Sequence, residues 1–162
     1  MKYWILAGAN QGNISQTFKE AFELLTPEHG LLLYLSPLYQ SEAWGFESDS
    51  PFLNQLCIIE SDYSPPTLMR ILLEIEQEFG RMRTENRYAE RSLDLDILFA
   101  GNLVYTSSLV QIPHPRMHLR NFTLMPCVDY MPDFIHPLLL KTMAQLLRLS
   151  PDESVPVRLE SA

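Results

Sequence analysis

The chain has 162 residues, of which 46% are hydrophobic and 10% aromatic, enough for one globular domain with a single core. Its formal net charge of -8 argues against nucleic acid as the main partner, because nucleic-acid binding depends on a basic surface. The first apolar run is only about seven residues long, too short for a signal-peptide core or a membrane span.

The two cysteines, Cys57 and Cys127, lie in apolar contexts without the spacing of a zinc or redox motif. We therefore expect buried free thiols in a reducing compartment. Together with the absence of a targeting signal, this predicts a cytoplasmic protein. We expect a monomer that has small-molecule substrates and neither a nucleic-acid nor a membrane partner.

Hydrophobic periodicity predicts alternating strands and helices in the first eighty residues. The predicted strands are Tyr3–Ala9, Leu31–Tyr39, with Pro37 marking an edge or bulge, and Phe52–Glu60. Amphipathic helices are predicted from Ile14 to Leu25 and, after the prolines that follow Ser64, up to Gly80. The stretch from Gln40 to Pro51 has no periodicity and is predicted to be a mobile surface loop.

A fourth strand is predicted at Leu93–Phe99. Its period-2 pleat places Leu93, Leu95, Ile97 and Phe99 on a packed face and two aspartates on the other. A hairpin at residues 100–102 would lead to a return strand at 103–105, and short helices are predicted within 116–128 and 142–149.

The order strand, helix, strand, strand, helix, strand predicts an α+β ferredoxin-like sandwich, a mainly antiparallel sheet with helices packed on one face. Additional C-terminal elements would follow this core. We expect residues 1–162 to form a single domain, with 150–162 as a loose tail.

The charge pattern around the fourth strand suggests a site. Asp94 and Asp96 lie about 7 Å apart on one strand face; taken alone, the pair favours a solvated surface. Four of the chain's twelve basic residues, however, lie in the eleven positions just before them: Arg81, Arg83, Arg87 and Arg91. Carboxylates for Mg2+ beside guanidinium groups for phosphate oxygens are typical of a nucleoside triphosphate site.

The segment from Arg87 to Leu98, RYAERSLDLDIL, resembles the signature of the 6-hydroxymethyl-7,8-dihydropterin pyrophosphokinase family. This family transfers pyrophosphate from ATP to the hydroxymethyl group of a pterin in folate biosynthesis and releases AMP. The resemblance extends, in order and spacing, to other short stretches of the chain: Gly8-Ala9-Asn10, Phe52-Leu53-Asn54, Glu76 with Gly80 to Arg83, Pro113-His114 and Arg120-Asn121-Phe122.

The resemblance implies a role for each matching residue. Asp94 and Asp96 would hold two Mg2+ ions and, with Arg81 and Arg91, act in catalysis. ATP would be the co-substrate, bound by Glu76, Arg81, Arg83, Arg87, Arg91, Ile97 and His114. The pterin would be bound by Ser41, Glu42, Trp44, Phe52, Asn54 and Phe122, with the two phenylalanines sandwiching the ring and the amide bonding its polar edge.

Some residues depart from the family pattern, and other functions stay open. Ala9, Glu42, Tyr88 and Pro115 replace residues common in the family. Loops at Gln40–Ser50 and Thr84–Glu90 are candidate lids over bound substrates. Two other classes of protein could carry the same charges: a ferredoxin-like small-molecule sensor without turnover, and a γ-phosphoryl kinase or nucleotidyl transferase. The reaction products distinguish these possibilities.

Overall fold

The computed structural model describes residues 1–42, 50–80 and 92–160. In chain order the strands and helices are β1 (Lys2–Ala9), α1 (Ile14–Leu25), β2 (Leu31–Leu35), β3 (Leu38–Ser41), β4 (Phe52–Glu60), α2 (Pro65–Glu78), β5 (Asp94–Ala100), β6 (Tyr105–Thr106), β7 (Gln111–Ile112), a 3-10 turn (Met117–Leu119), α3 (Asn121–Tyr130), α4 (Met143–Leu149) and β8 (Val157–Leu159).

The main sheet has the strand order β5-β1-β4-β3-β8, and β2 also pairs with β4. All these pairings are antiparallel. The first strand therefore lies between the third and fourth strands predicted from the sequence, which is the arrangement of a ferredoxin-like α+β sandwich. The predicted fold class is confirmed.

Local signals account for the ends of several helices. The side chain of Asn13 accepts a hydrogen bond from the backbone of Gln16, which caps α1. Pro65 occupies the first position of α2, where its missing N–H costs nothing. Gly80, with φ +80°, follows the end of this helix in the left-handed conformation that glycine favours.

The sheet separates two hydrophobic cores, where the sequence predicted a single one. α1 and α2 pack on one face, where Tyr3, Ile5, Leu72 and Ile97 belong to a buried cluster that we call the first core. α3 and α4 cover the opposite face, over a second core of buried residues: Trp4, Leu6, Leu56, Ile58, Leu98, Phe99, Met117, Leu124, Cys127, Met143 and Leu146. α1 and α2 therefore lie on one face, as predicted, and the C-terminal helices α3 and α4 cover the opposite face.

A bulge changes the predicted facing of β5. The register between β1 and β5 shifts between Trp4 and Ile5, so that Ile5 pairs with Ile97 and Trp4 with Phe99. The extra residue reverses the alternation. Phe99 therefore lies in the second core, not with Leu95 and Ile97 as predicted.

Other boundaries also differ from the sequence prediction. The strand predicted at 31–39 is two strands, because Ser36 and Pro37 interrupt it; Ser36 Oγ accepts a hydrogen bond from the Leu56 N–H. Gln40 belongs to β3 and not to a loop. The return strand predicted after β5 is absent from the described ranges, and β6 pairs instead with β7 in a separate two-stranded sheet.

The prediction of a loose tail at 150–162 is also wrong for part of this range. Residues Val157–Leu159 form β8, which pairs with β3 and extends the main sheet. Unpaired backbone groups at a sheet edge provide a template for such pairing. In the ranges 1–42, 50–80 and 92–160, no helix combines the length and the apolarity that crossing a bilayer needs.

Candidate active site

The sheet register brings distant residues into one row. Gly8 on β1 pairs with Asp94 on one side and with Asn54 on the other. Asn54 in turn pairs with Tyr39, and Phe52 with Ser41. Directly paired residues point to the same sheet face, so the candidate metal ligand and the candidate pterin ligands share the face that carries the second core.

Asp94 and Asp96 are half-buried on this face. Asp96 pairs with Leu6, which belongs to the second core, while Leu95 between them belongs to the first. The alternation predicted for this part of the strand is therefore present. The described residues contain no group of three His, Cys, Asp or Glu side chains that could hold a metal. Two carboxylates fit Mg2+, which takes one or two from protein and completes its shell with water and substrate phosphates.

The side chain of Asn54 lies close to Gly8 on β1. It is buried, and Nδ2 donates to Ser41 Oγ at 3.2 Å. A Cβ on Gly8 would lie 3.0 Å from Asn54 Oδ1, tighter than ordinary van der Waals contact. Glycine at position 8 thus leaves room for the amide. The amide itself provides the donor and acceptor that the polar edge of a heterocycle needs.

Glu76 is buried, with only 2% of its surface exposed. Its Oε1 accepts a hydrogen bond from the Leu95 N–H at 2.7 Å. Leu95 lies between the two aspartates on β5, the strand that ends the sheet order. The carboxylate therefore ties the end of α2 to the segment that carries the candidate metal ligands. This carboxylate is therefore not a solvated charge on the outer face of the helix.

His114 lies beside β5 and is fixed in one orientation. Its backbone N–H donates to the carbonyl oxygen of Leu98, and its imidazole Nδ1 accepts from the backbone N–H of Arg116 at 3.2 Å. Burial, followed by the charges of Arg120 and Arg116, lowers the pKa of His114 to about 4, while Asp94 acts in the opposite direction. The imidazole is therefore neutral at pH 7, with Nε2 carrying the proton as a potential donor to a substrate oxygen.

Phe122, at the start of α3, is half-buried against the second core. The guanidinium carbon of Arg120 lies 5.8 Å from the centre of its ring. The charge of Arg120 also acts on His114, as that of Asp94 does. α3 packs across β3 and β4, which carry Ser41, Phe52 and Asn54.

The remaining predicted site residues differ in accessibility. Ser41 is buried, Phe52 is half-buried and Glu42 is exposed. Ile97 is 2% exposed and belongs to the first core, so a contact with ATP would have to involve its backbone. Five predicted residues and most of both candidate lids lie outside the described residues: Trp44, Arg81, Arg83, Arg87 and Arg91.

Three features of the site were not assigned from the sequence. Gly8 and Arg120 belong to stretches that match the family, but no role followed from this match. Their contacts appear only when neighbouring strands and α3 are in place. The third is the hydrogen bond from Tyr39 to Asp129, which joins β3 to α3 across ninety positions of sequence. No local sequence pattern signals such a bond.

Comparisons with known proteins show which family this chain resembles over most of its length. The profile of the family described as 7,8-dihydro-6-hydroxymethylpterin-pyrophosphokinase matches residues 4–132. A 2-amino-4-hydroxy-6-hydroxymethyldihydropteridine pyrophosphokinase of Porphyromonas gingivalis is 37% identical over 139 residues, covering 83% of this chain and 92% of the relative. The protein of the same name from Synechocystis is 35% identical over 141 residues, covering 86% and 71%.

Two further matches are to longer proteins. The folic acid synthesis protein fol1 of Schizosaccharomyces pombe is 34% identical over 149 residues, which are 91% of this chain but 20% of fol1. A crystal structure of HPPK-DHPS in complex with substrates superposes with a TM-score of 0.73 at 14% identity, covering 91% of this chain and 43% of that one. The structural likeness supports the fold. The profile match and the identity to full-length relatives show that this chain belongs to the 7,8-dihydro-6-hydroxymethylpterin-pyrophosphokinase family.

Proposed function

We propose that this chain transfers the pyrophosphoryl group of ATP to the hydroxymethyl oxygen of 6-hydroxymethyl-7,8-dihydropterin and releases AMP, a step of folate biosynthesis. One observation carries the proposal beyond family membership. Asp94 and Asn54 flank Gly8 in neighbouring strands, so a carboxylate suited to a metal and an amide suited to a heterocycle lie in one row on one face. A pyrophosphoryl transfer needs both substrates at one site.

The pterin would be bound on the side of β3 and β4. The Asn54 amide would bond the polar edge of the ring, with Ser41 holding the amide in place. Phe52 and Phe122 would supply aromatic faces, and each such pair adds about 0.5–1.5 kcal/mol beyond burial. Glu42 and Trp44 are assigned to the same subsite from the family pattern.

ATP would be bound on the side of β5, with Mg2+ between its phosphates and the two aspartates. When bound, Mg2+ would neutralise phosphate charge and help to align the reacting groups. We propose two ions held by Asp94 and Asp96. His114 would donate from Nε2 to an oxygen of the nucleotide. Glu76 would belong to the ATP site because it supports β5 between the aspartates.

The reaction would be an in-line displacement at the β-phosphorus. A bond forms between the hydroxymethyl oxygen and this phosphorus, the bond to the oxygen shared with the α-phosphate breaks, and AMP leaves with that oxygen. The hydroxyl proton passes to solvent. Arg81 and Arg91 would stabilise the charge on the transferring group, and Arg83 and Arg87 would close over the nucleotide. The chain contributes mainly by positioning and electrostatics.

We further propose a cytoplasmic, monomeric enzyme. The two free cysteines, Cys57 and Cys127, support a reducing compartment, because neither forms a disulfide. Burial also raises the pKa of each thiol to about 12, which disfavours the reactive thiolate. Light scattering during gel filtration tests the oligomeric state; a mass of two chains would refute the monomer.

Product identification tests the proposed reaction. The protein is incubated with ATP, Mg2+ and 6-hydroxymethyl-7,8-dihydropterin, and nucleotides are separated by chromatography. We expect AMP and the pterin diphosphate in equal amounts. ADP would indicate a γ-phosphoryl kinase, free pyrophosphate a nucleotidyl transferase, and unchanged ATP a binding protein. Omission of Mg2+, or its replacement by EDTA, is expected to abolish product formation.

A further inference from the structure

The C-terminal segment 150–160 is bound to the start of α3 by hydrogen bonds centred on two residues. The Asn121 N–H donates to Asp152 Oδ2 at 2.8 Å, and Asn121 Nδ2 donates to the carbonyl oxygens of Asp152 and Ser154 at 2.9 and 2.7 Å. Asp152 Oδ1 accepts from both the N–H and the hydroxyl of Ser154. Asp152 Oδ2 therefore accepts a bond from the helix, and Oδ1 accepts bonds from within the C-terminal segment.

Asp152 caps a helix that has no cap of its own. The residue at the N-cap position of α3, Arg120, makes no side-chain capping bond. The first N–H groups of a helix have no acceptor within it, and a negative charge near them also interacts favourably with the helix dipole. Asp152, 31 positions away in the sequence, provides both the hydrogen-bond acceptor and the negative charge. The next residue of the helix is Phe122, so this remote carboxylate helps to fix a proposed wall of the pterin site.

The same segment is also bound to the opposite wall. Its strand β8 pairs with β3 through the register Leu38 with Leu159 and Gln40 with Val157. β3 ends at Ser41, which holds the Asn54 amide. Between these strands and α3, Asp129 accepts the hydroxyl of Tyr39 and lies 4.0 Å from the Arg158 guanidinium. The segment therefore contacts both elements that would enclose the pterin.

We propose that residues 150–160 form a brace that holds α3 and its Phe122 in position relative to β3, and that Asp152 is a positioning residue for pterin binding. This inference rests on the proposed function for its kinetic consequence. Asp152 would act only through Asn121 and the first turn of α3. Loss of the brace would allow the start of α3 to move, which weakens the pterin subsite and leaves β5 and the ATP subsite in place.

Steady-state kinetics of three variants test the brace. Asp152→Ala removes both acceptors, and Asp152→Asn keeps one acceptor oxygen. Glu153→Ala is the matched control, because it removes a negative charge at the neighbouring exposed position. We expect Asp152→Ala to raise the KM for pterin roughly five-fold, because losing a helix cap typically changes an equilibrium constant by about this factor and the start of α3 would have to be ordered again when pterin binds. Asp152→Asn should raise the KM less. The KM for ATP, kcat and all constants of Glu153→Ala should stay within about twofold of wild type.

Different outcomes have different meanings. An equal rise in the KM of both substrates, or an unchanged pterin KM in Asp152→Ala, would overturn the proposal. If Asp152→Ala does not fold, Asp152→Asn combined with Ser154→Ala provides the same test in a milder form, with the same expected selectivity for pterin.

Hydrogen exchange tests the brace independently of catalysis. The amides of Thr123 and Leu124 both donate to the Arg120 carbonyl in the first turn of α3. We expect them to exchange at least several-fold faster in Asp152→Ala than in Glu153→Ala, with β1 and β4 amides unchanged. Equal exchange in the two variants would refute the brace. If wild-type protein formed no AMP but these amides behaved as expected, the proposed function would fail and the brace would stand.

Discussion

Replacing Glu76 tests how the site is supported. The carboxylate is 2% exposed and its Oε1 accepts the Leu95 N–H at 2.7 Å. Because β5 ends the strand order, no described strand lies on its outer side to accept this bond. Glu76→Met would fill the space without an acceptor, whereas Glu76→Gln keeps an acceptor oxygen. Both variants remove the charge, so the difference between them reports on the polar contacts of the side chain, of which the bond to the Leu95 N–H is the one described.

The expected magnitude follows from the burial of this amide. A buried N–H left without an acceptor costs about 1–3 kcal/mol. For a domain of this size, each kcal/mol shifts Tm by roughly 2–4 °C. Glu76→Met should therefore melt about 4–8 °C below Glu76→Gln, taking about 2 kcal/mol as the central cost. Thermal unfolding followed by circular dichroism measures this difference.

The same two variants show whether Glu76 affects ATP binding through its hydrogen bond or through its charge. If the residue acts through Leu95, Glu76→Gln retains most of the ATP affinity and Glu76→Met loses it, because only the second variant releases the backbone between Asp94 and Asp96. Equal melting temperatures would refute the structural role. Equal loss of ATP affinity in both variants would show that the charge itself matters to the nucleotide.

Three further predictions concern other parts of the molecule. Asp94→Asn and Asp96→Asn should each lower the rate of AMP release by at least about a hundredfold, the scale of losing a key electrostatic group, while Tm stays near wild type; retained activity in either variant would contradict its assignment as a metal ligand. Gly8→Ala should raise the KM for pterin more than that for ATP, because the new methyl group would displace the Asn54 amide, and an unchanged pterin KM would contradict the role of this amide. Burial lowers the pKa of His136 to about 4, so the neutral form is favoured in the folded state and its contribution to stability is lost as pH falls from about 6.5 towards 4. Urea unfolding should show a smaller loss of stability between pH 7 and pH 5 in His136→Asn, which keeps an acceptor for the Leu138 and Leu139 N–H groups, than in wild type.

Much of the fold could be predicted because its signals are local. The cap at Asn13 begins α1, and prolines and a glycine delimit α2. The alternation around Asp94 and Asp96 was also predicted correctly. Phe99 was misplaced because a bulge depends on how two strands pair, and the sequence of one strand does not contain this information.

The candidate site could be named from the sequence only through the family resemblance. Phe52 and Phe122, taken singly, have the character of core residues, and Glu76 has that of a solvated helix residue. The structure adds what the resemblance does not state: Gly8 makes room for Asn54, Glu76 holds Leu95, and Asp152 caps α3.

The sequence by itself determined the pattern from which the candidate site was predicted: the paired aspartates on one strand face, the arginines before them and the order of strands and helices that predicts the sheet. Only the tertiary structure decided which residues support that candidate site. The buried carboxylate of Glu76 and the brace from Asp152 to Asn121 join positions 19 and 31 residues apart. Such contacts are set by the packing of complete elements against each other, and hydrophobic periodicity reports which face of an element is buried but not what lies against it.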